Sequence, residues 1–246
     1  MKHLYLGLVA GLIALLSSCG PARDIVYLQD LPAGADVTIQ DDGELRLEPG
    51  DIVSVKVHSR DNELAEMFNI AEDNYTVDPA GNIDLPIMGS VKVEGLTRVE
   101  VAQAVKYRLL SGSLLRDPVV TVEFPKMGYY IIGESGVGRH DFPTDKLNLL
   151  EAIAMAGDLP MSGRRKDIRV LRTEGNRQHV YEVDVTKADD LYASPVYYVK
   201  QNDMIYVQPN QMKQDQSTPY GSQYMNYTFW ISIVTLAASV VAIFAK

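Results

Sequence analysis

The hydrophobic pattern changes character several times along the chain. Leu4 to Leu16 is an almost unbroken apolar run behind Lys2 and His3, the length of a secretory signal and too short to cross a bilayer comfortably. Residues 19–44 follow with prolines and little periodicity, and read as a tether. After the turn signal Glu48-Pro49-Gly50-Asp51, Ile52-Val53-Ser54-Val55-Lys56-Val57 alternates with period two and predicts a half-buried strand. Tyr75-Thr76-Val77 and Asn82 to Ile87 flank Asp78-Pro79-Ala80-Gly81, whose turn chemistry predicts a hairpin. Thr97-Arg98-Val99-Glu100 is a capping box. Val99, Ala102, Val105 and Leu109 follow at helical spacing and are expected to be the buried stripe of a helix stopped by Ser111-Gly112. Asp117-Pro118 then opens a strand from Val119 to Phe124.

A second unit begins near Met127. Tyr129 to Gly133 reads as a strand, and Asn148-Leu149-Leu150-Glu151 as a second capping box opening a short helix that closes at Gly157. Ile168–Arg172 and His179–Asp184 predict a hairpin across Glu174-Gly175-Asn176, and Val196–Val199 and Met204–Val207 two more strands across Gln201-Asn202-Asp203. The pattern predicts an α+β protein: residues 45–126 one unit, 127–209 another, and 210–227 a polar, Gln-rich linker.

The tail changes character again. Thr218-Pro219 suits the N-cap and first turn of a helix, and Phe229 to Ala245 holds no charge. Those residues span about 26 Å at 1.5 Å each, close to the hydrophobic thickness of a thin outer membrane. Tyr220, Tyr224, Tyr227 and Trp230 crowd one end like an interfacial belt, and Lys246 closes the other. Residues 228–246 are therefore expected to be a transmembrane helix. Thr228, Ser232, Thr235, Ser239 and Ala242 recur on one face at spacings of four and three. Such a stripe lines a wet pore in a ring of helices, or lets helices pack closely; a single plain anchor is the third possibility.

Chemistry enters at Cys19, the one cysteine in the chain, which follows Leu16-Ser17-Ser18 and precedes Gly20. An internal disulfide is thereby excluded. Small residues ending on a cysteine resemble a bacterial lipobox, which implies that residues 1–18 are removed and Cys19 carries acyl lipid. No other cofactor is expected. A net charge of −9 without a basic stripe argues against nucleic acid as a partner. Gly163-Arg164-Arg165-Lys166-Asp167 is a small basic spot that reads as a solvated turn.

His58, His140 and His179 lack metal-ligand spacing, and Gly133-Glu134-Ser135-Gly136-Val137-Gly138 lacks the Lys-Ser/Thr of a phosphate loop and reads as a hairpin turn. Asp51, Asp78 and Asp84 fall in turns or strands, where Asp caps backbone N–H groups more often than it catalyses. The chain is not expected to be an enzyme.

Several of these words also form an ordered set. Leu47-Glu48-Pro49-Gly50-Asp51-Ile52, Asp78-Pro79-Ala80-Gly81-Asn82-Ile83, Leu85-Pro86-Ile87-Met88-Gly89, Val93-Glu94-Gly95-Leu96-Thr97 and Leu115-Arg116-Asp117-Pro118-Val119-Val120 resemble the polysaccharide (capsule) export domain. Ile132-Gly133-Glu134, Leu149 to Ile153, Ala156-Gly157-Asp158-Leu159 and Asn202 to Val207 resemble a soluble-ligand-binding β-grasp (SLBB) domain. The resemblance implies an outer-membrane lipoprotein with its main domains in the periplasm. It further implies a homo-oligomeric ring, often of eight subunits, that passes capsular or exopolysaccharide. An inner-membrane polysaccharide co-polymerase is the implied partner. Long members carry two β-grasp units where this chain shows one, which predicts a shorter column. The other reading left open is a periplasmic glycan-binding scaffold that recruits a separate barrel.

Overall fold

The structure is a computed structural model and describes residues 25–39, 43–69, 74–218 and 227–244. The signal sequence and Cys19 lie outside the described residues.

The first unit is built on β1 (Ile52–His58), whose alternation buries Val53, Val55 and Val57. It lies between β2 (Asn74–Thr76) and β5 (Val119–Glu123), antiparallel to both. A short helix, α1 (Asn62–Glu66), follows β1, its first turn capped by the Asp61 carboxylate, which accepts from the Leu64 N–H. Strands β3 (Asn82–Leu85) and β4 (Gly89–Lys92) form a separate antiparallel pair. The hairpin expected between β2 and β3 is thus not formed. Asp78 closes a tight turn, accepting from the Asn82 N–H at 2.8 Å, but β2 pairs with β1, and β3 with β4 across Pro86–Met88, where Ile87 takes φ +65°.

Helix α2 (Arg98–Ser111) starts where the capping box predicts: the Glu100 N–H donates to the Thr97 hydroxyl and the Thr97 N–H to the Glu100 carboxylate. Its buried stripe matches the expected one at Val105 and Leu109 and differs in the first turn. Val101, Val105 and Leu109 face the sheet, whereas Val99 is 60% exposed. Val99 lies about 200° round the helix from Val101, so the two cannot share a face. Each fully buried Val or Leu contributes about 1.5–3 kcal/mol relative to exposure, and Leu47, Val53 and Leu109 are completely covered.

The second unit has one five-stranded sheet of β6 (Gly128–Gly133), β7 (Gly138–Asp141), β8 (Ile168–Glu174), β9 (Arg177–Val183) and β10 (Met204–Val207). Their order across the sheet is β7-β6-β10-β8-β9, with β10 parallel to β6 and antiparallel to β8. Gly133 to Gly138 is the turn joining β6 to β7. Helix α3 (Leu149–Met155) carries the Asn148–Glu151 capping box and buries Leu149, Ala152 and Ile153 in the same core as Ile131, Val170 and Ile205. Val196–Val199 is not a strand. It runs beside residues 147–149, exchanging only isolated bonds (Leu149 N–H to Tyr197 O, 2.8 Å; Val199 N–H to Leu147 O, 2.9 Å). Buried hydrophobics form two clusters, one ending at Met127 and one beginning at Tyr129, with Phe142 packed against both.

Part of the expected tether is docked. Residues 27–30 lie along the second unit: the Leu28 and Gln29 N–H groups donate to Val185 O and Thr186 O at 3.2 and 2.7 Å. Asp30 accepts from the Ala188 N–H at 2.7 Å and so caps helix α4 (Ala188–Tyr192), whose own N-cap, Lys187, makes no side-chain cap bond. Tyr27 donates to Asp158 at 2.5 Å, and the Arg165 guanidinium lies 5.1 Å from its ring centroid. Arg165 is therefore not solvated as expected. It is buried, donating to the carbonyls of Leu159, Pro160 and Gly163.

The linker also carries structure: α5 (Gln211–Gln216), capped by Asn210. Pro219, expected to open the last helix, lies outside the described residues. Helix α6 (Tyr227–Phe244) has 18 residues and hence a length of about 27 Å, under the roughly 30 Å of a typical hydrocarbon core. Among the described residues, no helix is long and apolar enough to cross a membrane. The expected transmembrane helix over 228–246 is therefore not supported.

Candidate functional site

A partly enclosed concavity lies between the two units. One wall is the extended segment 43–48. Its alternation buries Leu45 and Leu47 and turns Glu44, Arg46 and Glu48 outward. Backbone bonds fix the segment on both sides: the Leu47 N–H donates to Leu96 O at 3.1 Å, the Gly95 N–H to Leu47 O at 2.8 Å, and the Leu45 N–H to Asp145 O at 3.0 Å. Arg46 is held by Gly95 O at 3.0 Å and by Glu100 at 3.1 Å. Glu94 completes this wall, paired with Lys92 at 2.5 Å.

The other wall is the loop before β10, which presents Tyr198, Lys200 and Gln201. A buried ion pair sets this loop: Arg172 Nη2 lies 2.6 Å from Asp203, Asp203 accepts the Lys200 N–H at 2.8 Å, and Arg172 donates to Tyr198 O at 2.9 Å. Tyr197 meets the Tyr198 ring edge-on at 4.8 Å. Gly43 presses on that ring so closely that a Cβ would sit 2.4 Å from a ring carbon. The enclosed cleft has a volume of about 350 Å³.

The turn at the cleft edge explains the Glu48-Pro49-Gly50-Asp51 motif. The Glu48 N–H donates to the Asp51 carboxylate at 2.8 Å, the Gly50 N–H to Val77 O at 2.8 Å, and Gly50 takes φ +94°. Burial pushes the Asp51 carboxyl up, partly offset by the Glu48 N–H and Gln201. Burial, then the charge of Asp51, pushes Glu48 up, while Lys200 opposes. Gln201 also accepts the Gly128 N–H at 2.6 Å, so it stitches the start of β6 to the cleft wall. A second concavity between the units, about 570 Å³, is wider; in it Arg98 pairs with Asp145 at 2.6 Å, and Thr144 donates to Lys146 O.

The stripe residues Thr228, Ser232, Thr235 and Ser239 all fall within α6. The Thr235 hydroxyl donates to Ile231 O at 2.6 Å and the Ser239 hydroxyl to Thr235 O at 2.7 Å. Such back-bonding leaves each oxygen as an acceptor and lets the hydroxyls face either water or a neighbouring helix. Phe229, Trp230, Ile231, Val234 and Leu236 are exposed around them. The histidines are dispersed: His140 stacks on Tyr129 with Nε2 2.9 Å from Gly136 O, and His179 lies 3.9 Å from Glu174. Among the described residues no group of His, Cys, Asp and Glu has the geometry to hold a metal ion. Arg164 pairs with Asp167 at 2.6 Å.

Residues 39–124 match the model of the polysaccharide biosynthesis/export protein family. The chain carries that family's export domain. The match spans one wall of the cleft, the β1–β5 unit and helix α2. It assigns the export domain a role in polysaccharide export or biosynthesis. No curated protein matches the chain. Within the export domain Glu48-Pro49-Gly50-Asp51 and Asp78-Pro79-Ala80-Gly81 are turns, and the Asp51 and Asp78 carboxylates accept from backbone N–H groups. Sequence reasoning missed Tyr198, Lys200, Gln201, Glu44 and Glu94 as a group, because nothing in their spacing signals that two units fold against each other there.

Proposed function

We propose that the protein is an outer-membrane lipoprotein whose copies assemble into a ring-shaped conduit for capsular or exopolysaccharide, without enzymatic activity. The observation that carries this reading is the export-domain match over residues 39–124, with its motifs realised as the turns that order β1 to β5. In this reading Cys19 carries the acyl anchor, the folded units stand in the periplasm, and an inner-membrane co-polymerase feeds the polymer. We read the second unit as an SLBB-type β-grasp domain because its first and last strands are parallel neighbours at the centre of the sheet. The exposed apolar residues of α6 need cover, and neighbouring copies of the helix in a ring supply it.

One observation favours a second reading, in which the ring is a periplasmic scaffold delivering glycan to a separate barrel. Among the described residues no helix is long and apolar enough to cross a membrane.

The test removes the chain from a polysaccharide-producing cell and restores it as the wild type, as Cys19→Ala, or as Ser232→Leu/Thr235→Leu/Ser239→Leu. Loss of surface polymer with accumulation in the periplasm is expected without the chain, and reduced export with Cys19→Ala. Undiminished export without the chain overturns the proposal. Blocked export by the triple variant with an intact oligomer supports a stripe that lines the path; normal export supports the scaffold.

A further inference from the structure

The basic spot Gly163-Arg164-Arg165-Lys166-Asp167 carries three cations and one anion in a chain of net charge −9. Its shape is set from inside. Arg165 is buried and donates to the carbonyls of Leu159, Pro160 and Gly163, and its neighbours Arg164 and Lys166 stand exposed. Arg164 pairs with Asp167 at 2.6 Å. Lys213 adds a further cation, 3.7 Å from Glu134, which also accepts from Ser162 beside the spot. Arg164 and Lys166 line one concavity of about 300 Å³ together with Ile25, Met161 and Gln211. Apolar side chains stand around it: Met161 is 75% exposed, and Val26 and Met212, the neighbours of Ile25 and Gln211, are exposed as well.

Two ends of the second unit meet here. Ile25 leads into the docked segment. The Leu28 N–H donates to Val185 O, and the Val185 N–H to Arg165 O at 2.9 Å, so one residue ties that segment to the spot. On the other side the Arg164 N–H donates to Gln208 O at 2.9 Å, the Asn210 N–H to Ser162 O at 2.6 Å and the Asn210 side chain to Met161 O at 3.0 Å. Asn210 caps α5, and beyond α5 the chain leads to the apolar helix α6. The chain toward Cys19 and the chain toward α6 therefore leave from the same concavity.

We propose that this face rests on an anionic phospholipid surface, with Arg164 and Lys166 at the headgroup phosphates and Met161, Val26 and Met212 among the headgroups.

This inference rests on the lipoprotein part of the proposed function and adds to it a contact that needs no acyl chain. The course of the chain names the occupant. In that reading residues 20–24 separate the acylated Cys19 from Ile25, a reach of at most about 20 Å. A face so close to a bilayer meets headgroups first. Its composition suits them. Arg and Lys lay their stems along apolar surface while their charges reach phosphate, and unbranched methionines adapt to an irregular boundary. An anionic surface attracts these cations and repels the rest of an acidic chain, so the spot also selects which face turns toward it.

The test uses the full chain bearing Cys19→Ala, which removes the acyl anchor and the one cysteine. The probes are vesicles of phosphatidylcholine alone and of phosphatidylcholine with about a third phosphatidylglycerol, and flotation measures binding. The binding gained with phosphatidylglycerol is expected to fall at least about tenfold in Arg164→Gln/Lys166→Gln. Lys106→Gln/Arg177→Gln removes equal charge elsewhere and should leave the gain unchanged. A second measurement separates this face from α6. Met161→Cys in the same background carries a polarity-sensitive dye, whose emission should shift on phosphatidylglycerol vesicles, whereas the dye at Tyr107→Cys on α2 should stay in water. No gain with phosphatidylglycerol, an equal gain in the two double variants, or a Met161 dye that stays in water each overturns the inference. The mass of the wild-type chain extracted from cells reads acylation separately. If Cys19 is acylated and the vesicle tests fail, only this inference is lost; if Cys19 is unmodified, the lipoprotein reading falls whatever the vesicles show.

Discussion

Replacing Asp203 by Asn tests whether one buried ion pair holds the wall of the cleft. Asp203 is wholly buried and the Arg172 side chain 5% exposed. The two carboxylate oxygens accept from Arg172 Nε at 2.9 Å and Nη2 at 2.6 Å, a two-point fork, and one oxygen also takes the Lys200 N–H at 2.8 Å. Arg172 uses its remaining donors on Pro195 O at 3.2 Å and Tyr198 O at 2.9 Å. The pair thus fixes the irregular segment between α4 and β10 as well as itself. Asn keeps the volume but removes the charge, leaving a guanidinium in a dry site without a counter-ion. Breaking a buried pair from one side costs about 3–5 kcal/mol. With a urea slope of about 1–3 kcal/mol per molar, the unfolding midpoint should fall by roughly 1–5 M. The assay is urea unfolding of the full chain followed by far-ultraviolet circular dichroism, with Arg172→Lys as companion. Lys keeps the charge but loses the fork, so its loss should be real but smaller. A midpoint within about 0.3 M of wild type for Asp203→Asn would refute the argument, because the buried cation would then cost almost nothing.

Further expectations follow from other contacts. Asp30→Ala removes the cap of α4 and should cost about 1 kcal/mol, with faster hydrogen exchange at Leu191 and Tyr192; unchanged exchange would mean that the docked segment does not hold α4. Glu48→Gln should raise stability near neutral pH. The folded pKa of Glu48 lies above its unfolded value, so the native state binds the proton first. Stability is therefore lost as pH rises through the raised value and regained as pH falls toward the ordinary carboxylate range. The variant should flatten that part of the curve just above the ordinary carboxylate range, and an unchanged slope would exclude Glu48 as its source. Gly133→Ala places a Cβ 2.0 Å from Val207 O on a backbone with φ +96°, and should lower the melting temperature by at least about 4 °C, read by calorimetry.

Where one short stretch of chain decides the outcome, the pattern of residues was enough to read it. Both capping boxes form as their residues imply, because Thr97 and Asn148 need only partners three residues on. The alternation in β1 likewise names its buried side. The misreadings have long-range causes. The helix stripe is read correctly at Val105 and Leu109, but its first turn buries Val101 rather than Val99, a choice that the sheet beneath makes. Val196–Val199 has the composition of a strand, yet its neighbours are residues 147–149 and its carbonyls serve Arg172, so no ladder forms. Tyr27 and Asp30 looked like tether because their partners, Asp158 and Ala188, lie more than a hundred residues away.

The same reasoning separates the parts of the candidate site. A capping box is local and readable; a cleft is not, since its residues gain meaning only once two units close on each other. The docked segment joins these scales. If Cys19 carries lipid, residues 20–26 are all that separate the membrane from Tyr27, a reach of at most about 25 Å. The second unit, to which Tyr27 and Asp30 bind, would then be held close to the lipid.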